Sequence, residues 1–281
     1  MVILLFILAL IWIIFAIMQD FKSREVANWL NFSLIIFALV VRMFYSIFSG
    51  NYDYILFGLV GLGVFFVLAH AFYYMRIFAG GDAKLLIALG TIIPIESSWH
   101  LNLLVGFVFV IALFFTGAVY SLVYSGIVAY QNREKFTRDF KKQFKENKTY
   151  FFISLGFAIV FLIGVFISGI TGFIFVAVLV FILPYLYVYT KAVESSCMTK
   201  EVNVRDLTVG DWLVQKIKVK EKMIKANWEG LDEEQLVLIQ KNYRKKVLVK
   251  YGIPFTPAFL FALLAIILVW YFGDFNLRFL F

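Results

Sequence analysis

Long apolar runs dominate this sequence and limit what it can fold into. A membrane-crossing helix needs about 20 apolar residues, and the chain contains eight runs of roughly that length. They are too many for one soluble core, because 63% of the 281 residues are hydrophobic and only 16% are charged, whereas soluble domains have about 25% charged residues. The sequence therefore predicts an all-α integral membrane protein. Three glycines in the third run, Gly58, Gly61 and Gly63, are expected to let that helix pack closely. The predicted segments are residues 1–18, 29–48, 54–75, 83–98, 102–129, 150–168, 171–190 and 255–272.

The distribution of basic residues predicts how these segments are oriented. If all eight cross the membrane, 24 of the 26 Lys and Arg residues lie in loops on a single side. Loops rich in Lys and Arg stay in the cytoplasm, so the basic side is expected to be cytoplasmic and both termini to lie outside. Pro94 and Glu96 interrupt the fourth segment, yet its crossing keeps the basic loops together. We therefore expect a multi-pass protein of the cytoplasmic membrane.

The chain divides into four predicted parts, in which a six-helix core is joined by an extra helical pair and a small cytoplasmic subdomain. In the subdomain, Asp232 and Gln235 resemble a capping box before a helix-like stretch at 236–247, and partial alternation over 212–219 predicts a short strand. The parts are residues 1–130, a membrane region with two candidate catalytic aspartates; 131–190, a basic loop and the added pair; 191–254, the subdomain; and 255–281, the last membrane helix and C-terminal tail.

The residues available for chemistry disfavour several kinds of protein. The net charge of +8 lies in loops between apolar runs, so membrane lipids with anionic headgroups, and not nucleic acid, are the expected partner. Cys197 is the single cysteine, which excludes a disulfide framework within the chain. The two histidines, His70 and His100, form no HExxH motif, and zinc sites usually need three or four close ligands. We expect no metal and no cofactor.

Two acidic residues stand at the predicted cytoplasmic edge of the membrane. Asp20 follows the first apolar run and Asp82 opens the fourth. Two aspartates that share one proton can hydrolyse a peptide bond, because one activates water while the other protonates the carbonyl oxygen. Each residue also has a simpler interpretation: Asp82 as the N-cap of a helix, and Asp20 as a solvated loop acid beside Lys22 and Arg24.

The segments around these aspartates resemble the type IV prepilin peptidases, and the archaeal preflagellin and prepilin peptidases most of all. Residues 20–28 (DFKSREVAN) are similar to the first aspartate motif of that family, and residues 80–84 (GGDAK) to its GxGD motif. The resemblance implies that Asp20 and Asp82 are the catalytic pair. The supporting motif residues that it implies are Lys22, Arg24, Asn28, Gly80, Gly81 and Lys84.

The sequence departs from the family motifs at some positions, and the motif residues also have other interpretations. Ala79 stands where the family has the first glycine of GxGD, and Ala27 where bacterial members have proline. With one cysteine, the chain lacks the Cys-rich zinc element of bacterial relatives, so a methyltransferase activity is not expected. The basic motif residues also suit anchoring to headgroups, and Asn28 suits a cap of the second segment. Residues 209–213 and 252–258 are similar to the archaeal members as well.

The expected function is that of a membrane aspartyl endopeptidase. The resemblance implies that it removes the N-terminal leader of pilin-like or flagellin-like precursors, with a basic residue and a glycine before the cleaved bond. The alternative is an ion- or proton-coupled transporter that uses Asp20 and Asp82 as ion sites, and a structural membrane subunit is a third class. Midplane charges and broken helices favour transport, whereas these two acids lie at the membrane edge.

Overall fold

The computed structural model describes residues 1–219, 222–224 and 230–272. They form two compact units, one of Met1–Val123 with the chain from Ile253 onward and one of Tyr124–Gly252. The predicted tail beyond residue 272 lies outside the described residues, and the four-part division of the chain stays a prediction. The helices, in chain order, are α1 (Val2–Ser23), α2 (Asn28–Ser49), α3 (Asp53–Tyr74), α4 (Gly80–Leu89), α5 (Trp99–Gln131), α6 (Arg133–Glu146), α7 (Lys148–Ser168), α8 (Gly172–Ser196), α9 (Glu233–Asn242) and α10 (Thr256–Phe272).

The predicted all-α membrane protein is confirmed, but the count of eight crossing helices is not. Among the described helices, six are long and apolar enough to cross a membrane: α1, α2, α3, α5, α7 and α8. Helix α10 has 17 residues, close to the lower limit for a span. The fourth predicted segment forms only the 10-residue helix α4, which is about 15 Å long and covers half of the hydrocarbon layer.

Helix α1 shows how the first unit is packed. Its inward face carries Leu5, Ala9, Ile13 and Ala16, which are all fully buried and recur every three or four residues. That spacing places side chains on one face of a helix. Continued by one more turn, the same face arrives at Asp20, which is also buried. The packing of α1 therefore directs this acid into the protein.

Close contact between α3 and α4 depends on glycine. A Cβ atom added to Gly61 would lie 2.2 Å from the carbonyl oxygen of Gly90, and one added to Gly58 would lie 2.5 Å from Cδ of Arg42. These two glycines therefore act as predicted. The prediction was wrong for Gly63, because a Cβ atom there would meet nothing within 4 Å.

The second unit joins three helices to a small subdomain that contains β-strands. Strands β1 and β2 both pair antiparallel with β5, whereas β3 and β4 form a separate hairpin. Asp232 is the N-cap of α9 and accepts a hydrogen bond from the backbone N–H of Gln235, as predicted. The predicted helix at 236–247 is wrong at its end, since α9 stops at Asn242. The strands are β1 (Thr199–Val202), β2 (Trp212–Leu213), β3 (Ile217–Val219), β4 (Lys222–Ile224) and β5 (Val247–Lys250).

Candidate active site

Asp20 lies inside the protein at the last turn of α1. Only 7% of its surface is exposed, so the alternative of a solvated loop acid is wrong. Its Oδ2 atom accepts two hydrogen bonds from Thr256, one from the backbone N–H at 3.1 Å and one from the hydroxyl at 2.6 Å. Thr256 is the first residue of α10 and is fully buried. Two donors at the positive end of a helix suit an ionised carboxylate.

Asp82 lies in the first turn of α4 and is not its N-cap. The N-cap is Ala79, whose side chain makes no capping bond, so the simple capping interpretation is wrong. Desolvation and the charge of Asp20 raise the pKa of Asp82 to about 7, and a backbone hydrogen bond with Ala79 partly opposes this rise. The carboxyl of Asp82 is therefore largely protonated at mildly acidic pH.

The raised pKa also reports on the arrangement of the two acids. Asp20 and Asp82 are 62 positions apart in the chain, yet the charge of Asp20 acts directly on the carboxyl of Asp82. One acid is held by donors that favour the charged form, and the other lies where the neutral form is favoured. Hydrolysis by two carboxyl groups requires one that accepts a proton and one that donates a proton.

The short connection between α1 and α2 brings the two motifs together. The side-chain oxygen of Gln19 accepts a hydrogen bond of 2.9 Å from the backbone N–H of Ala27, which folds this connection back on α1. Val26 is buried and lies beside Gly81, where an added Cβ atom would come within 3.4 Å of the Val26 nitrogen. The first motif therefore lies directly against the start of α4.

The supporting residues differ in what they contact. Lys84 donates a hydrogen bond of 2.6 Å to the Oδ1 atom of Asn28, which joins the two motifs across the start of α2. Asn28 is not the cap of α2, because that position is Ala27. Lys22 is exposed in the last turn of α1, and Arg24 ends that helix in a left-handed conformation with φ 59°.

The glycines before Asp82 are not required by backbone conformation. Gly80 and Gly81 are both helical, and neither has a positive φ. Ala79 adopts an extended conformation with φ −71° and ψ 164°, which any residue can take. The departure from the glycine of the family motif therefore has no conformational consequence at this position. What Gly81 provides is space beside Val26.

Arg42 is a basic residue within the second apolar segment, and the sequence alone indicated no role for it, but the structure gives it a clear place. Its guanidinium is fully buried and donates to backbone carbonyl oxygens alone. These lie mostly in the irregular chain after α4, so Arg42 holds the end of that helix while the aspartates meet at its start. The accepting oxygens belong to Tyr54, Thr91, Ile92 and Pro94.

Among the described residues of the first unit, no second site for hydrolysis is evident. An apolar cavity of about 310 Å³ lies between α3 and α5, where Phe57, Phe65 and Phe107 contribute to its wall. Neither aspartate lines it, and its wall offers almost no polar group that could activate water. Among the described residues, no group of three or more His, Cys, Asp or Glu side chains could hold a metal ion.

Long apolar helices and a pair of carboxyl groups, one of which has a raised pKa, are the features expected of a membrane-embedded aspartyl hydrolase. Residues 7–122, which include both aspartates, match the sequence model of the type IV leader peptidase family. The chain is also similar to curated preflagellin peptidases from three archaea.

The similarity to these relatives is limited to one region. With the preflagellin peptidase of Methanocaldococcus jannaschii the chain is 34% identical over 89 residues, which is 32% of this chain and 38% of that protein. The enzymes of Methanococcus maripaludis and Methanococcus voltae are 30% identical over 89 residues and 28% identical over 87 residues. The match therefore spans little more than a third of the length of each relative.

Proposed function

We propose that this protein is a membrane aspartyl endopeptidase that removes the leader peptide of pilin-like or flagellin-like precursors. The observation that carries the proposal is the effect of Asp20 on Asp82, because the charge of Asp20 contributes to the raised pKa of the Asp82 carboxyl. The proposed catalytic pair lies within the region that matches the leader peptidase family. The preflagellin peptidases are its relatives there, and their substrate class comes to this chain as part of the proposal.

In the proposed reaction each aspartate takes part in two proton transfers and returns to its starting protonation state. Asp20 takes a proton from water as the water oxygen attacks the carbonyl carbon, and Asp82 donates its proton to the carbonyl oxygen. Asp20 then gives its proton to the leaving nitrogen, the C–N bond breaks, and Asp82 recovers a proton from the tetrahedral hydroxyl. Both aspartates end the cycle in their starting states, so no metal and no cofactor takes part.

Cleavage is proposed to occur at the cytoplasmic face of the membrane. Helices α2 and α3 follow α1, and each crosses the membrane once, so the chain comes back to the side on which α1 ends before α4 begins. The end of α1 and the start of α4 therefore lie on one side. Lys22, Arg24, Arg76 and Lys84 flank the aspartates on that side, and such residues favour the cytoplasm. A precursor would place its apolar segment in the bilayer. Its leader, with a basic residue and a glycine before the cleaved bond, would lie at the cytoplasmic edge of the membrane.

Labelling of introduced cysteines tests the proposed side. In a Cys197→Ser background, Lys22→Cys and Asn51→Cys place one thiol at the end of α1 and another in the connection between α2 and α3. A reagent that does not cross membranes should label position 51 in intact cells and position 22 only after lysis. Labelling of position 22 in intact cells would contradict a cytoplasmic site.

The activity itself is tested by incubating the purified full-length protein with a pilin-like precursor. The expected product begins directly after the basic-Gly pair of the leader, as N-terminal sequencing will reveal, and its yield is unchanged by a metal chelator. A chelator that abolishes cleavage would contradict a mechanism based on the two aspartates alone.

A further inference from the structure

Helix α6 is the most polar helix of the second unit and has two distinct faces. Its 14 residues include six basic and three acidic side chains, and none of them is buried. Three phenylalanines, Phe136, Phe140 and Phe144, recur every four residues and therefore lie on one face. Four basic residues, Arg138, Lys141, Lys142 and Lys145, lie between about 100° and 200° around the helix axis from Phe140; we refer to these four as the basic stripe.

The aromatic face of α6 is already occupied by its neighbours. The ring of Phe136 lies 5.7 Å from that of Tyr189 in α8, and the ring of Phe144 lies 4.4 Å from that of Phe151 in α7. Phe144 also lies 6.4 Å from Tyr185. The helix is therefore fixed by its apolar side, and the basic stripe faces away from α7 and α8.

These contacts place α6 at the edge of the membrane. Its end is separated from the start of α7, a candidate span, by Asn147 alone. Phe136 and Phe144 are about 12 Å apart along α6, whereas their partners in α8, Tyr189 and Tyr185, are only about 6 Å apart along that helix. Helix α6 thus crosses α8 obliquely, at the level of tyrosines of the kind that mark the membrane interface.

A hydrogen bond fixes the rotation of α6 about its own axis. The hydroxyl of Ser195, near the end of α8 that lies beyond the tyrosines, donates to Oδ2 of Asp139 at 2.9 Å. Asp139 therefore points toward the end of α8 that lies beyond the tyrosines. Lys141 and Lys145 lie about 200° and 240° around the axis of α6 from Asp139, so they are on the side of α6 that faces the membrane. None of the basic stripe forms an ion pair with a described residue.

From this arrangement we propose that the basic stripe of α6 binds the headgroups of anionic lipids. The stripe has the charge, the exposure and the level in the membrane that a layer of phosphate groups requires, and lysine and arginine near an anionic leaflet are attracted to it. The inference does not depend on the proposed peptidase activity, since α6 contributes no residue to the aspartate pair.

Photo-crosslinking in vesicles tests this proposal. The full-length protein is reconstituted in phosphatidylcholine vesicles that contain a small fraction of photoactivatable phosphatidylglycerol or, in parallel, photoactivatable phosphatidylcholine. Mass spectrometry then locates the labelled peptides. We expect α6 to be labelled several-fold more by the anionic probe at low salt, and the preference to shrink at high salt because screening weakens it.

Matched variants make the test specific. Combined Lys141→Gln, Lys142→Gln and Lys145→Gln substitutions should remove the preference at α6. Combined Lys200→Gln, Lys216→Gln and Lys218→Gln, which remove the same charge from exposed positions of the subdomain, should leave it intact. Equal labelling of wild-type α6 by both probes, or equal loss in both triple variants, would overturn the proposal. An unchanged melting temperature in detergent shows that the α6 variant is folded, whether or not the protein cleaves a precursor.

Discussion

Thr256 donates two hydrogen bonds to a single oxygen of Asp20, one from its backbone and one from its hydroxyl. The two residues are 236 positions apart in the chain, so the end of α1 and the start of α10 are joined at the candidate site. The pKa of the second aspartate, Asp82, is raised despite a backbone hydrogen bond with Ala79, so the neutral form of Asp82 is favoured. This asymmetry assigns the base to Asp20 and the acid to Asp82 in the proposed mechanism.

The Thr256 hydroxyl is expected to position Asp20 and to favour its charged form. A hydrogen bond to a charged group contributes about 1.5–3 kcal/mol, so Thr256→Val should lower kcat about 10- to 100-fold. Thr256→Ser, which keeps a hydroxyl, should restore activity. Thr116→Val is the control, because Thr116 donates to α10 at Ala258 without touching Asp20. A kcat unchanged in Thr256→Val, or no recovery in Thr256→Ser, would refute this role.

Activity is expected to decrease as pH rises through about 7, because the pKa of Asp82 lies there and the proposed acid then loses its proton. Rates of precursor cleavage measured between pH 5 and 9 check this expectation. Asp53→Asn, which changes an exposed acid in the first turn of α3, should leave the profile unchanged. A rate that increases through this range would contradict the assignment of Asp82 as the acid.

The same pKa predicts how stability changes with pH. The folded protein holds the Asp82 proton up to about pH 7, whereas an ordinary carboxyl releases it near 3.8. The free energy of unfolding therefore decreases as pH rises from 3.8 to 7, since the unfolded state releases this proton first. Asp82→Asn, which is always neutral, should then melt a few degrees above the wild type at pH 8 and show a smaller difference at pH 5. A melting temperature below the wild type at pH 8 would be inconsistent with this account.

The glycines of α3 offer a matched pair for testing helix packing. Gly61→Ala should destabilise the protein, because the new Cβ atom would lie 2.2 Å from a backbone oxygen of the α4 end. Gly63→Ala meets nothing within 4 Å and should be neutral or stabilising by up to about 1 kcal/mol through helix propensity. Thermal unfolding in detergent measures both, and equal effects would show that α3 and α4 are not packed this closely.

Arg42 is expected to be essential for the fold of the chain after α4. Arg42→Met leaves four backbone oxygens without their donor, and each buried group left unsatisfied costs about 1–3 kcal/mol. Arg42→Lys keeps the charge but cannot bond in all of these directions, so its loss of stability should be intermediate. The melting temperatures of the three proteins test this order. A Met variant as stable as the wild type would show that these bonds contribute little.

The sequence predicted much of the membrane region for simple physical reasons. Six of the predicted segments correspond to long apolar helices and a seventh to the shorter apolar helix α10, because a run of about 20 apolar residues has few other stable forms in lipid. The inward position of Asp20 was also readable, since it continues the series Ala9, Ile13 and Ala16 along one helix face. The prediction placed Asp20 after the first apolar segment at residue 18, whereas α1 continues to Ser23 and includes Asp20.

Other features depended on contacts that no local pattern reveals. The chain that follows the short helix α4 accepts hydrogen bonds from Arg42, which lies 49 to 52 positions away in sequence. Thr256 was noted only within a stretch similar to archaeal relatives, because nothing around it indicates that Asp20 is its partner. The charge effect between the two aspartates likewise arises only when α1 and α4 are packed together.

The most direct test of the central claim is precursor cleavage by three single variants of the full-length protein. Asp20→Asn and Asp82→Asn should each abolish cleavage while the folded protein remains in the membrane, and Asp53→Asn should cleave at the wild-type rate. Near wild-type cleavage by either Asp20→Asn or Asp82→Asn would contradict the proposal that these two residues form the catalytic pair.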